Sequence, residues 1–177
     1  MKKMVTLVFA LIVSVGTLQA QDFKGLDKSP LDLIEYPSSN KETSKSVRVL
    51  YSRPQLKGRE FSSLVPDGKV WRLGANEATE VTFYEPMKMN GTQIAVGSYT
   101  LYALPQDGKM TFILNKATHV WGAYGYNQDL DVARITVPMS EASQSVEAFS
   151  MAFEKSSEGV NLQMGWGKHR MVLPFTK

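Results

Sequence analysis

Apolar and polar residues alternate along most of this chain. In SVRVLYS (46–52), Val47, Val49 and Tyr51 fall on one side, with Arg48, Leu50 and Ser52 on the other. EVTFYE (80–85) sets Val81 and Phe83 against Thr82 and Tyr84. SYTLYALP (98–105) sets Tyr99, Leu101 and Ala103 against Thr100, Tyr102 and Leu104, and KMTFILN (109–115) gathers Met110, Phe112 and Leu114. ARITVP, FSMAF, VNLQMGW and RMVLPF continue the series towards the C-terminus. A period of two is the spacing of a strand that buries one face. Turn residues separate the runs: Asn90-Gly91, both tolerant of positive φ, and Pro105-Gln106-Asp107-Gly108. About ten short strands joined in this way predict an all-β antiparallel fold, either a two-sheet sandwich or a jelly-roll-like arrangement.

Helix is expected to be scarce. Leu31 to Tyr36 is too short for one and is closed by Pro37. In Ser140 to Phe149, Ser140 offers a cap and Glu141 a first-turn acid, but Val146, Ala148 and Ser150 also alternate with Phe149, Met151 and Phe153. That pattern predicts a short turn near 140–143 followed by a strand. Most of the nine methionines occupy alternating apolar positions, where a flexible thioether fills gaps between sheets.

The N-terminus has a different composition. Lys2 and Lys3 precede an uncharged apolar stretch from Met4 to Gly16, and Leu18-Gln19-Ala20 offers a cleavage point. At about 13 residues the stretch is shorter than the roughly 17–25 that a membrane-spanning helix needs. This is the pattern of a secretory signal peptide over 1–20, which predicts an exported protein, periplasmic or extracellular, with no transmembrane segment after cleavage. Residues 21–46, which include the polar run SSNKETSKS, read as an N-terminal lead-in, and 47–177 as a single β domain. A mature chain of about 157 residues buries roughly 68–70% of its unfolded surface, enough to fold without the disulfides that the absence of cysteine forbids. Removing Lys2 and Lys3 takes the formal charge from +3 to +1, because residues 1–20 contain no acid. A near-neutral mature protein lacks the basic surplus of a nucleic-acid binder.

Candidate chemistry concentrates early in the domain. From Arg48 to Arg72 there are six basic residues and two acids. Arginine forks suit carboxylate, phosphate or sulfate, so Arg53, Lys57, Arg59 and Arg72 are candidates for holding an anionic group. The competing expectation is that these arginines pair with Glu77, Glu80, Asp129 or Asp131 inside the fold. In the turn GANEAT, Gly74 and Asn76 both tolerate left-handed backbone, which lets Asn76 and Glu77 project towards hydroxyl or amine groups, or else makes a purely structural corner. WGAYGY (121–126) interleaves Trp121, Tyr124 and Tyr126 with Gly122 and Gly125, giving either ring platforms or core. Asn115 and Lys116 end the preceding strand and are placed on the same rim.

Enzyme templates are poorly matched. Only His119 and His169 exist, a G-x-S-x-G elbow is absent, and no HxH, HExxH or CxxC spacing occurs, so no catalytic residue, metal site or cofactor is assigned. A carboxylate pair, Glu77 with Glu80 or Asp131, leaves a glycan hydrolase open.

Several stretches together resemble a known pattern: SP (29–30), YSRPQLKGREFSSLVP (51–66), VWRLGANEATEVTF (70–83), AVGSYTLYALP (95–105), ILNK (113–116), WGAYGY (121–126) and DVARITVP (131–138). They resemble the domain-of-unknown-function family 2911, exported proteins chiefly of Bacteroidota. The pattern differs from this chain at Asp67, where it places an aromatic, and at Leu73, where it places Thr. The resemblance implies export and a compact β domain, and it transfers no catalytic residues. The expected function is therefore a binding module for a small acidic or glycan-like ligand. Its alternatives are a structural or interaction protein that docks an envelope partner, and the carboxylate-dependent glycan hydrolase.

Overall fold

A computed structural model describes residues 22–177. The expected signal peptide over 1–20 lies outside the described residues. Ten strands form two antiparallel sheets. The larger has the order β1-β2-β3-β6-β7-β8, built from Leu31–Tyr36 (β1), Val47–Ser52 (β2), Glu80–Phe83 (β3), Gly97–Gln106 (β6), Lys109–Asn115 (β7) and Asp131–Pro138 (β8). The smaller has the order β5-β4-β10-β9, built from Thr92–Ile94 (β5), Met87–Met89 (β4), Gly159–Thr176 (β10) and Ser140–Lys155 (β9). The sheets pack face to face without closing into a barrel, which makes the fold a sandwich. The regular helix among the described residues is one turn, Phe61–Leu64 (α1), and one 3-10 turn at Gln128–Leu130.

The alternation seen in the sequence sets which face goes inward. Val47, Val49 and Tyr51 of β2 are buried with Val81 and Phe83 of β3, Leu101 of β6 and Met110, Phe112 and Leu114 of β7. The second sheet supplies Met87, Met89, Phe149, Met151, Leu162, Met164, Trp166 and Phe175. Trp71 and Trp166 stack at 5.8 Å, and Phe61 meets both edge-on at 6.5 and 5.9 Å. Burying each large apolar side chain stabilises the fold by about 1.5–3 kcal/mol. This layer, and no staple, holds the sheets together. Asn90 and Gly91 adopt φ of 50° and 76°, forming the β4–β5 hairpin their sequence predicts.

Two local expectations differ from the structure. The sheet begins at Leu31, ahead of residue 47, because Leu31–Tyr36 pairs along its whole length with β2. Strand β9 starts at Ser140 with no turn at 140–143. Register shifts between Gly165 and His169 let β9 arch away from β10, and Arg170 fills the gap by donating to the carbonyls of Gly167, His169 and Gln144. Such bulges break the strict alternation that a sequence reading relies on.

The outer face of the larger sheet positions the site. Part of it is apolar: Ala78, Tyr102 and Ile113 are buried there beneath Val120, Ala123 and Tyr126 of the 116–130 loop. That loop is tied down at its base. Asn115, 1% exposed, donates to the Asn127 carbonyl and to Asp131, and its own side-chain oxygen accepts from Ala117 N–H. Tyr126 donates to Asp131 at 2.7 Å, and Arg134 adds a bond to the same carboxylate. Burial, reinforced by that carboxylate, pushes the Tyr126 phenol up, so it stays a donor at neutral pH.

Candidate functional site

The segment 70–79 leaves the sheet at Trp71, which exchanges two backbone bonds with Ala103, and returns to it at Glu80. Thr79 closes the corner by donating its hydroxyl to the Leu73 carbonyl at 2.6 Å. Leu73 and Asn76 carry the positive φ values, 54° and 58°, whereas Gly74 does not. Gly74 is required for a different reason: a Cβ there would lie 2.9 Å from the Ser52 carbonyl oxygen. The corner passes too close to β2 for any side chain at that point.

The far side of the corner is laced to the WGAYGY loop. The Asn76 carbonyl accepts from Gly122 N–H at 3.0 Å and from the Arg72 guanidinium at 2.9 Å, and Ala78 N–H donates to Val120. Glu77 and Trp121 form an antiparallel bridge. Arg72 also lies 5.6 Å from the Tyr124 ring centroid, a cation–π distance. Trp121 is 60% exposed and Tyr124 85%, while Tyr126 packs edge-on against Tyr102 in the small outer core. The three rings therefore divide: two stand at the surface and one is structural.

Two adjoining cavities open beside this corner and share Leu31, Ser52 and Glu77. One, of about 290 Å³, is lined by Lys24, Asp27 and Ser29 of the lead-in and by Asn76, Glu77 and Trp121. The other, of about 250 Å³, is more apolar and includes Leu50, Ala78, Glu80, His119 and Val120. Together they form a groove over the outer face of β2, between the lead-in and the 119–121 segment. Asp27 accepts from Ser29 N–H at 2.7 Å. That bond, and a second to the Asn76 side chain, hold its carboxyl below the ordinary value of 3.8.

Of the residues singled out from sequence, the structure brings Arg72, Asn76, Glu77, Trp121 and Tyr124 together. The others lie elsewhere. Arg53 uses all three guanidinium nitrogens within the fold, on Asp32 at 3.0 Å, the Phe149 carbonyl at 3.1 Å and Ser150 at 2.7 Å, so it ties β1 and β2 to β9. Its carboxylate partner is Asp32, not Glu77, Glu80, Asp129 or Asp131. Arg59 donates to the carbonyls of Gln55 and Leu56 and lines a separate cavity of about 460 Å³ with Glu141, Glu147 and His169. Lys57 is exposed in the same loop, where its backbone N–H donates to Glu147. Asn115 anchors the 116–130 loop from beneath, and Lys116 is exposed at its base. The arginines thus take separate partners and do not meet in one cleft. Asp131 is engaged by Asn115, Tyr126 and Arg134, whereas Glu77 and Glu80 both line the groove.

Sequence reasoning missed Ser52, His119, Asp27 and Lys24 as groove residues. Alternation does place Ser52 on the outward side of β2, and His119 sits two residues before Trp121. No local signal marks Lys24 or Asp27, whose role comes from where the lead-in runs. Among the described residues, no group of three or more His, Cys, Asp or Glu could hold a metal ion, and no helix is long and apolar enough to cross a membrane.

Comparison with known proteins gives one match: a family described as "Protein of unknown function (DUF2911)" covers residues 29–175. No curated protein and no solved structure matches the chain.

Proposed function

The chain belongs to this DUF2911 family of unknown function, and we propose that it is an exported binding protein whose outer-face groove takes a neutral, sugar-like ligand. The observation that carries this reading is Trp121, a large ring 60% exposed at the rim of a groove whose neighbouring groups, Asn76 and Glu77, are suited to hydroxyls. An indole face gives a platform for a sugar ring, the Asn76 amide both donates and accepts, and the Glu77 carboxylate accepts from hydroxyls. Small-molecule sites commonly combine such an apolar surface with a few convergent polar groups. Charge favours a neutral ligand over an acidic one. Asp27, Glu77 and Glu80 line the groove against Lys24 and His119, while Arg53 and Arg59 are engaged elsewhere. Export rests on Lys2, Lys3 and the short apolar stretch that follows.

The test is a thermal-shift screen of the protein lacking residues 1–20 against neutral oligosaccharides (gluco-, manno- and xylo-oligomers, chito-oligomers) and against uronic-acid oligomers. A neutral oligomer is expected to raise the melting temperature, and Trp121→Ala to weaken its binding about tenfold or more, equivalent to about 1.4 kcal/mol. Shifts given only by the acidic oligomers, or unchanged in the variant, refute the reading.

A further inference from the structure

Three polar side chains of the more apolar cavity play no part in the stacking surface: Ser52, Glu80 and His119. Ser52 is 2% exposed, and among the described residues its hydroxyl makes no hydrogen bond, although it lines both halves of the groove. Buried hydroxyls are normally paired, so one that faces a cavity without a partner is a reason to look for chemistry. Glu80 pairs directly with Leu50 across the β2–β3 ladder. Ser52, two residues further along β2, is therefore its diagonal neighbour on the same face, and such neighbours stand about 7–8 Å apart. An imidazole hydrogen-bonded through both nitrogens spans a gap of that order. His119 supplies the ring: its Nδ1 lies 3.4 Å from Glu80 Oε2, and it is held at φ 56°, an uncommon backbone for a residue with a side chain. Contacts of this kind are often long without substrate and tighten when it binds.

We propose that Ser52, His119 and Glu80 form a nucleophile, a base and a positioning carboxylate that hydrolyse a short acyl ester. The fold has no G-x-S-x-G elbow, but such constellations are recognised by geometry and role, not by sequence position. Ser52 Oγ attacks the ester carbonyl carbon as its proton passes to His119 Nε2, and the carbonyl electron pair moves onto oxygen. Collapse breaks the bond to the alcohol, which leaves with the proton from His119 and leaves the acyl group on Ser52. Water then attacks the acyl carbon, its proton passes through His119 to Ser52 Oγ, and a carboxylic acid is released. Water is the co-reactant, and nothing is oxidised or reduced. Glu80 holds the ring through Nδ1 and stabilises its charged form. Leu31 and Leu50 wall the cavity, and about 250 Å³ suits a small acyl group. The identity of the alcohol rests on the sugar-binding reading, which places a sugar hydroxyl beside Trp121. The nucleophile does not depend on it.

The experiment treats the protein lacking residues 1–20 with a fluorophosphonate, maps the adduct by mass spectrometry, and follows 4-nitrophenyl acetate hydrolysis in parallel. A single adduct on Ser52 is expected. Ser52→Ala should lose both label and turnover, and His119→Gln should slow labelling at least about a hundredfold. Glu80→Gln should lower the rate and move the acid limb of the labelling pH profile to lower pH. The neutral imidazole is the active form, and removing a neighbouring negative charge makes the ring easier to deprotonate. Melting temperatures of the variants show that they are folded. An unlabelled Ser52 in folded protein overturns the proposal, as does labelling that His119→Gln leaves unchanged. If oligosaccharides bind while Ser52 stays unlabelled, only the esterase fails. Label without oligosaccharide binding removes only the sugar.

Discussion

Gly74 sets the height of the GANEAT corner above β2. A methyl group there would meet the Ser52 carbonyl oxygen at 2.9 Å, and that oxygen belongs to backbone held in the β1–β2 ladder. Neither side can give easily. Gly74→Ala is therefore expected to destabilise the fold by roughly 1–3 kcal/mol, the usual range for overpacking a tight site, as measured by urea denaturation. Gly125→Ala, whose added methyl meets nothing within 4 Å, is the control and should change stability little. The sequence marks Gly74 as special but suggests the wrong cause. Glycine is read as freedom of φ, and here Leu73 takes the left-handed conformation while Gly74 provides clearance. Arg53 teaches a related lesson. A guanidinium among other cations looks like a ligand site, but the partners that saturate it, Asp32 and the β9 backbone, lie far along the chain or in a segment whose pairing local pattern does not reveal.

At the scale of elements, the 116–130 loop presents Trp121 and His119 to the groove, and Asn115 holds that loop from below. Asn115→Ala removes two donated bonds and leaves the Ala117 N–H without its acceptor. Breaking a buried network of this kind costs roughly 1–3 kcal/mol. Hydrogen exchange should speed up across residues 116–130 and stay slow in the β9–β10 ladder. Equal loss of protection in both would mean that the loop is not an independent unit. Strand content was legible because alternation, turn residues and the Asn90-Gly91 hairpin all point the same way. The β9 bulges and the short β1 were not, since one breaks the period of two and the other is a strand only because β2 is there to pair with it.

For the whole molecule, the groove is closed on one side by the lead-in, which rests on Asn76 through Asp27. The Asp27 carboxyl is held below its ordinary value in the folded protein, so its contribution is fully present above about pH 4 and is lost as pH falls through the folded value. Acidification should therefore free residues 24–29 before the sandwich unfolds, visible as movement of the Ser29 and Asn76 NMR signals while core signals stay fixed. Asp27→Asn should remove that early step. The two β layers explain how a chain without cysteine keeps its shape, and the outer face of the larger sheet explains where it can bind.

The most direct test maps the position of a bound neutral oligosaccharide by NMR chemical-shift perturbation on the folded protein. The account predicts changes centred on the Trp121 indole, Asn76 and Glu77, with the residues around Arg59 and His169 unmoved. Perturbations confined to the cavity at Arg59, or absent from the Trp121 indole at saturating ligand, would contradict it.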